Sequence, residues 1–304
     1  MIDVFLLVLP VFLVIAIGHL LWRRDFLPDA FWPAAEKLAY FILMPAIIVR
    51  TLARGDLGEI DLGGTAGAVF ALVGAVTVLM VATRLVVRLP GPSFASMYQG
   101  AIRLNGFVGL SIILALFGEA GVARVSVVIA VWVPLANLLS IYGFVQATGG
   151  RRAGPGQVIL QILRNPLVMA VFIGVGANLA GLGPHIDRMP LLDLLGRAGL
   201  PLGLLTVGAG LDLASLRAAG GRVLWTTFVK LAVMPAAMTA ICLALALDPT
   251  STALMILFSA LPTSATGHIL ARQLGGDVPL MIGIITLQTA LALITMTVAA
   301  TLLA

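Results

Sequence analysis

Two segments of the sequence interrupt long apolar runs with residues that can bind a small anion. Asn105 and Gly106 lie near the middle of the run 94–117, and Pro262 lies near the middle of the run 251–272. Proline removes a backbone donor and clashes with the preceding turn, whereas asparagine can cap a helix that restarts. Each restarted helix would direct free N–H groups and about half a positive charge at the membrane midplane. Two facing helix ends of this kind predict an anion site.

Hydroxyl and basic side chains near the interruptions are further candidates for this site. Thr263 and Ser264 follow the proline and can cap the second half-helix. Arg103 and Lys230 lie deep in apolar runs. A basic side chain at the bilayer centre costs on the order of 2.5–3.5 kcal/mol on insertion scales, so it tends to face a cavity or a partner. We therefore expect one or both to supply positive potential to the site.

Two buried amides complete the candidate set, and each candidate has a simpler alternative. Asn137 lies in the run 122–147, and Gln288 lies in the run 278–303. Amides in membrane helices often form interhelical hydrogen bonds without binding a substrate. Arg103 could equally bond carbonyls at the end of a span, and Lys230 could snorkel towards the interface. Proline and glycine can also simply kink packed helices.

Carboxylates are scarce in the apolar runs. The third, fourth, fifth, eighth, ninth and tenth runs contain no deep Asp or Glu, and the acidic residues cluster near the run ends. A cation–proton antiporter needs a buried carboxylate to carry its cation or proton, so the sequence disfavours that class. We expect no carboxylate at the interruptions and therefore an anionic substrate.

The composition excludes an ordinary soluble protein. The 304 residues are 61% hydrophobic and 10% charged, with a mean hydropathy of +1.12, whereas soluble domains are about 45–50% apolar and about 25% charged. The chain is too short for ten spans and a soluble catalytic domain. The net charge of +5 arises from basic residues spread over the loops, which favours the positive-inside rule over nucleic-acid binding. No metal or other cofactor is predicted.

Ten apolar runs, bounded by charges, Gly and Pro, predict an all-α protein with ten transmembrane helices. The runs are 3–22, 33–53, 64–88, 94–117, 122–147, 166–183, 189–211, 221–247, 251–272 and 278–303. With the N-terminus outside, cytoplasmic loops carry ten arginines and outside segments carry five, which favours both termini outside. Arg23 and Arg24 follow the first run instead of preceding it, so we expect a spanning helix and not a signal peptide.

The sequence repeats itself at an offset of 156 residues. The matched pairs are Pro10 with Pro166, Gly18 with Gly174, Pro28 with Pro184, Pro45 with Pro201, Asp56 with Asp212, and Leu57 with Leu213. The halves are 1–147 and 166–304, joined by a short cytoplasmic linker, 148–165. Five spans in each half is an odd number, so the second half enters the membrane from the opposite side. Inverted repeats of this kind are typical of secondary transporters, which bind substrate at paired broken helices.

The sequence resembles the auxin efflux carrier family, which includes the plant PIN exporters and bacterial permeases described as malonate transporters. The resembling segments are Gly100-Ala-Ile-Arg-Leu-Asn-Gly-Phe-Val-Gly109, Asn165-Pro166, Leu200-Pro-Leu-Gly-Leu-Leu205, Lys230-Leu-Ala-Val-Met-Pro235 and Ala260-Leu-Pro262. The resemblance implies that helices four and nine cross at their breaks, with Asn105 and Pro262 at the crossover and Lys230 at a basic position in span eight. In this chain Leu104 precedes the asparagine, where PIN exporters have proline. The short linker implies that PIN-style phosphoregulation is absent.

The resemblance also implies a division into two structural units. Segments 3–53 and 166–211 would form a scaffold, and segments 64–147 and 221–303 would form the transport core. The resemblance and the charge distribution together predict a bacterial inner-membrane permease, and not an enzyme, that moves a small organic anion by elevator-type alternating access. The predicted substrate-binding residues are Asn105, Gly106, Arg103, Pro262, Thr263, Ser264, Asn137, Lys230 and Gln288.

Two other functions remain as alternatives. A relative of the bile-acid/sodium symporters would need a sodium site of carboxylates and amides near both crossovers. An intramembrane enzyme would need paired aspartates, a His-Glu-x-x-His motif or a Ser/His pair at one depth, and none of these is present in the sequence. The expected partners are the lipid bilayer and a small anion, and a homodimer is compatible with the sequence. The substrate, the direction of transport and the coupling ion are left open.

Overall fold

The computed structural model describes residues 2–58, 61–149, 156, 160, 162–187, 190–218 and 220–303. Within this part of the chain the secondary structure is helical and contains no β-strand. Seven of the described helices are long and apolar enough to cross a membrane, and two shorter apolar helices accompany them. The prediction of an all-α membrane protein is therefore confirmed.

The outer bounds of the helical segments lie within four residues of those of the predicted apolar runs. In the first half they are α1 (Ile2–Arg23), α2 (Phe31–Arg54), α3 (Leu62–Val87), α4 (Gly91–Ile102) and α5 (Gly106–Thr148). In the second half they are α6 (Pro166–Leu179), α7 (Gly183–Asp187), α8 (Pro190–Ala209), α9 (Gly221–Ala244), α10 (Pro249–Ser259), α11 (Gly267–Gln273) and α12 (Val278–Leu303). Helix α5 joins parts of the fourth and fifth runs, and α7 lies between the sixth and seventh. A 3₁₀ turn, Leu213–Ala218, precedes α9.

Three departures from helical backbone divide these elements further. The chain leaves the helix at 103–105, between α4 and α5, and at 260–266, between α10 and α11. Both breaks lie where Asn-Gly and proline interrupt the apolar runs. Within α5, Gly118 has φ 63° and ψ −159°, a conformation that only glycine adopts readily. This kink separates a half-helix, 106–117, from a long helix, 119–148.

Two helices contain a single π-helical turn directly before a Met-Pro pair. The turns are Ala39–Leu43 in α2 and Val229–Val233 in α9. Proline has no N–H and its ring crowds the carbonyl of the preceding turn, so it disrupts a regular α-helix. A π-turn adds one residue to the turn and relieves this conflict. Pro45 and Pro235 thus continue their helices without breaking them.

Left-handed backbone recurs at corresponding places in the two halves of the chain. The corresponding pairs are Asp25 with Gly181, Arg88 with Ala246, and Gly118 with Gly275. Their separations of 156, 158 and 157 residues agree with the sequence offset of 156 to within two residues. Because these residues mark helix ends and kinks, the agreement supports the internal repeat. The ten membrane crossings and the inversion of the second half stay predictions.

Helices α1, α2, α6 and α8 approach one another closely through glycines. A Cβ on Gly18 of α1 would collide with the backbone carbonyl of Leu205 on α8. A Cβ on Gly174 of α6 would lie 3.1 Å from the carbonyl oxygen of Val49 on α2. These contacts are equivalent in the repeat, since both residues of the second contact are 156 positions from those of the first. Small residues at such contacts allow backbones to pack directly. The division into scaffold and transport core is consistent with this packing and stays a prediction.

We expect Gly208→Ala to lower the stability of the protein. Its Cβ would collide with the carbonyl oxygen of Ile15 on α1, and overpacking of this kind typically costs about 1–3 kcal/mol. Gly176→Ala is the matched control, because a Cβ there meets no atom within 4 Å and alanine favours the helix. The melting temperatures of both variants in detergent check the prediction. Equal melting temperatures would show that α1 and α8 do not pack as described.

Candidate functional site

The two helix breaks contact each other through a backbone hydrogen bond. The Asn105 N–H donates to the carbonyl oxygen of Pro262 over 2.8 Å. The break between α4 and α5 therefore lies directly against the break between α10 and α11. Asn105 and Pro262 are 157 residues apart, one more than the repeat offset, so nearly equivalent positions of the two halves meet at one point in the fold.

Asn105 acts as the N-cap of α5. Its Oδ1 accepts hydrogen bonds from the backbone N–H groups of Phe107 (3.1 Å) and Val108 (3.3 Å). The sequence predicts free N–H groups at this helix end. These two are instead occupied by the Asn105 side chain and are not free to bind an anion. The Asn105 Nδ2 is buried and has no hydrogen-bond partner among the described residues. The side-chain amide Nδ2 of Asn105 is therefore a donor at this break, whereas the N–H groups of Phe107 and Val108 are not.

Side chains from neighbouring helices satisfy the backbone groups that the breaks leave unpaired. Gln288 of α12 bridges the two breaks, because its Nε2 donates to the Gly100 carbonyl (3.2 Å) and its Oε1 accepts from the Thr263 N–H (2.8 Å). The Trp132 indole N–H donates to the Ile102 carbonyl over 2.9 Å. Gln288 is fully buried, and both ends of its amide are used within the protein. These bonds agree with the alternative interpretation of Gln288 as an interhelical amide, whereas Trp132 was not among the predicted residues.

A cavity of 340 Å³ lies beside the crossing of the breaks. Five of the predicted site residues line it, namely Arg103, Asn105, Gly106, Asn137 and Ser264. A second cavity of 380 Å³ shares Arg103 and Asn137 with the first. The structure therefore brings polar groups from both breaks and from α5 to one cavity in the membrane part of the chain.

The other four predicted residues lie away from the lining of this cavity. Pro262, Thr263 and Gln288 form the inner framework of the crossing. Lys230 is fully buried on α9, with its Nζ 3.6 Å from the Met234 sulfur and 5.5 Å from the centroid of the Trp132 ring. Cation–π attraction contributes to its placement. A direct contact between these four residues and a ligand stays a prediction.

Arg103 presents its guanidinium to the cavity with only long hydrogen bonds. Its Nη1 lies 3.5 Å from the Gln99 Oε1, and its Nη2 lies 3.4 Å from the Thr266 Oγ1. No carboxylate of the described residues lies within 4 Å of it. Arginine carries five donors in a planar fork that matches a carboxylate, so its capacity is largely unused.

One wall of the cavity is formed by α2, and this wall carries a carboxylate. Glu36, Tyr40 and Met44 are spaced four residues apart on one helical face, and all three line the cavity. The expectation of no carboxylate at the breaks did not extend to the cavity beside them, which contains Glu36. It rested on the six runs that hold the breaks and their neighbours, whereas Glu36 belongs to span two. The signal available in the sequence was the pair Glu36 and Tyr40, two polar residues four positions apart in that run.

A cluster of ion pairs lies at the opposite end of α2, beside a third cavity of 460 Å³. Arg50 pairs with Glu119 (2.8 Å) and with Asp193 (3.3 Å), and Arg54 also pairs with Glu119 (3.1 Å). Arg197 pairs with Asp193 within α8 over 2.9 Å. The cluster therefore joins α2 and α8 to α5, one residue past the kink at Gly118.

Comparison with known proteins points to membrane transport. A family model described as membrane transport protein matches residues 152–300. The match includes the second break and Lys230, and it ends near the end of α12. No curated protein matches the chain. Among the described residues, no group of three or more His, Cys, Asp or Glu could hold a metal ion.

We expect Gln288→Leu to destabilise the crossing. The change leaves a buried N–H at Thr263 and a buried carbonyl at Gly100 without partners, which costs about 1–3 kcal/mol for each group. Thr297→Val is the matched control on α12, because Thr297 bonds only to a carbonyl of its own helix. The melting temperature in detergent measures the effect. A drop no larger than that of the control would contradict the bridging role.

Proposed function

Because the chain belongs to the auxin efflux carrier family of membrane transport proteins, we propose that it is a secondary transporter of a small organic anion. In this proposal the carboxylate of the substrate binds where the two breaks cross. The observation that carries it is the Asn105 side chain. Its oxygen is used by the helix cap, while its buried Nδ2 has no partner among the described residues.

The chemistry of the cavity favours an anionic group over a cation at this point. The Asn105 amide and the Arg103 guanidinium are both donors, and both line the same cavity. A carboxylate offers about four acceptor sites and can take two parallel bonds from arginine. Charge-assisted bonds of this kind are roughly twice as strong as neutral ones. A volume of 340 Å³ lies within the range of small-molecule sites.

The positions of the cavity and of the ion pairs along α2 support alternating access. Pro33 and Glu36 line the cavity near the start of the helix, whereas Arg50 and Arg54 form ion pairs near its end. At 1.5 Å per residue these two regions are roughly 25 Å apart. We infer that the ion pairs hold this end of the helices together while the cavity nearer the other end admits the substrate, as alternating access requires. On the predicted orientation, the end with the cavity faces the cytoplasm.

An elevator-type movement is the form of alternating access that we propose. The crossing, with Arg103 and Asn105, would move as part of the core relative to α1, α2, α6 and α8. The close glycine contacts within these four helices support their role as the fixed part. The ion pairs of Glu119 would then be broken and remade in each cycle, since they join α5 to α2.

We expect Asn105→Asp to reduce carboxylate transport at least tenfold, on the order of 1.4 kcal/mol. The aspartate keeps the oxygen that caps α5, but it replaces the free donor with a negative charge that repels the substrate. Uptake of labelled pentanoate, 4-aminobutyrate and glutarate into proteoliposomes measures the effect, and the acid that the unmodified protein transports fastest is the reference.

Asn165→Asp is the control for stability in this experiment. Asn165 caps α6 in the same way, through hydrogen bonds from the N–H groups of Leu167 (3.0 Å) and Val168 (3.4 Å). The melting temperatures of the two variants show whether each remains folded when aspartate replaces the capping asparagine. Unchanged uptake in both Asn105→Asp and Pro262→Ala would exclude the crossing as the binding site.

We expect Glu119→Gln to open the end of the molecule that the ion pairs close. The change weakens the contacts to both Arg50 and Arg54. A single cysteine, Ser111→Cys in a Cys242→Ala background, reports this opening, because Ser111 lines the cavity beside the cluster. Its rate of labelling by a maleimide should rise several-fold in the Glu119→Gln variant.

Arg197→Gln is the matched control for the labelling experiment. It removes a charge from the same cluster, but its ion pair with Asp193 lies within a single helix. Its labelling rate should remain close to that of the unmodified background. Equal rates in both variants would show that Glu119 does not hold this end closed.

A further inference from the structure

The cavity beside the crossing has a basic residue on one wall and an acidic residue on another. Arg103 follows the end of α4, and Glu36 lies on α2, and both line the same cavity. Among the described residues, the Glu36 carboxylate forms no hydrogen bond and no ion pair within 4 Å. The Arg103 guanidinium and the Glu36 carboxylate thus line the same cavity without direct contact.

This open arrangement differs from the ion-pair cluster at the other end of α2. At the far end of α2, Arg50 and Glu119 are in direct contact at 2.8 Å. A half-buried carboxylate without a partner loses part of its hydration, and no ion pair compensates for this cost in free energy. A ligand that bears both a negative and a positive group could pair with Arg103 and with Glu36 at the same time.

The position of Glu36 along α2 indicates where the second group of such a ligand would lie. Met44 of α2 abuts the crossing, since a Cβ on Gly106 would lie 3.1 Å from its Cε. Glu36 is eight residues nearer the start of the helix, which corresponds to about 12 Å along the axis. The carboxylate of Glu36 therefore faces the outer part of the cavity, beyond the donors at the crossing.

Lys37 also lines the cavity, and its charge has to be considered. It is exposed, and as the next residue on the helix it points about 100° away from Glu36. In water its charge is screened, whereas the partly buried Glu36 is screened less. The outer part of the cavity is therefore governed by the carboxylate and not by the lysine.

We propose that Glu36 determines the substrate class, and that the substrate is an amino acid whose ammonium group binds to this carboxylate. The substrate carboxylate binds at Arg103 and Asn105, so the inference rests on the proposed function. A second carboxylate on the substrate would face Glu36 and be repelled. The site therefore selects a zwitterion over a dicarboxylate of the same length.

Three acids with five-atom chains test this selection, because they differ only in the group at the far end. Pentanoate ends in a methyl group, 4-aminobutyrate in an ammonium group and glutarate in a second carboxylate. We expect 4-aminobutyrate to bind the purified protein at least tenfold more tightly than glutarate, as measured by ligand-induced shifts in melting temperature. In Glu36→Gln this preference should fall to less than threefold, and in Lys37→Gln it should persist.

The outcomes separate the selection from the binding site itself. If glutarate binds as tightly as 4-aminobutyrate, or if Glu36→Gln keeps the full preference, Glu36 does not select the substrate, while the crossing can still bind carboxylates. If none of the three acids binds the unmodified protein, or if Asn105→Asp weakens none of them, the proposed function itself fails. The melting temperature of Glu36→Gln without ligand confirms that the variant folds.

Discussion

A backbone hydrogen bond between two helix interruptions, from the Asn105 N–H to the Pro262 carbonyl oxygen, holds the centre of this molecule together. Within a membrane, a backbone group that leaves its helix must find a partner inside the protein. Gln288 and Trp132 provide such partners for the surrounding carbonyls and N–H groups. Because the framework satisfies the broken backbone, the donors of Asn105 and Arg103 remain available to the cavity.

The distribution of charge follows the same division between framework and cavity. The acidic and basic residues at the far end of α2 are paired with each other across three helices. Beside the crossing, by contrast, Arg103 and Glu36 line the same cavity without direct contact. Paired charges hold helices together, whereas separated charges in a low-dielectric site attract a ligand. The two ends of α2 thus have different physical roles.

Much of the fold could be predicted from the sequence because its signals are local. Hydropathy locates the helices, and Asn105, Gly106 and Pro262 mark the breaks, since each residue acts on its own turn. The role of Glu36 could not be predicted, because it depends on how α2 packs against the crossing. The sequence indicates that Asn105 can cap α5, but it does not tell whether this cap or a ligand occupies the Phe107 N–H.

The glycine contacts between helices determine where the protein can move. Where Gly18 meets Leu205, one backbone lies on another, so α1 cannot slide along α8 without a collision. The crossing meets its neighbours differently, through Met44 against Gly106 and through the Phe107 ring over Gly203 of α8. Such side chains can change rotamer and repack after a shift of one helical turn, about 5.4 Å. In the proposed elevator movement, the side-chain contacts would therefore repack in steps, while the backbone contacts would keep α1 and α8 in register.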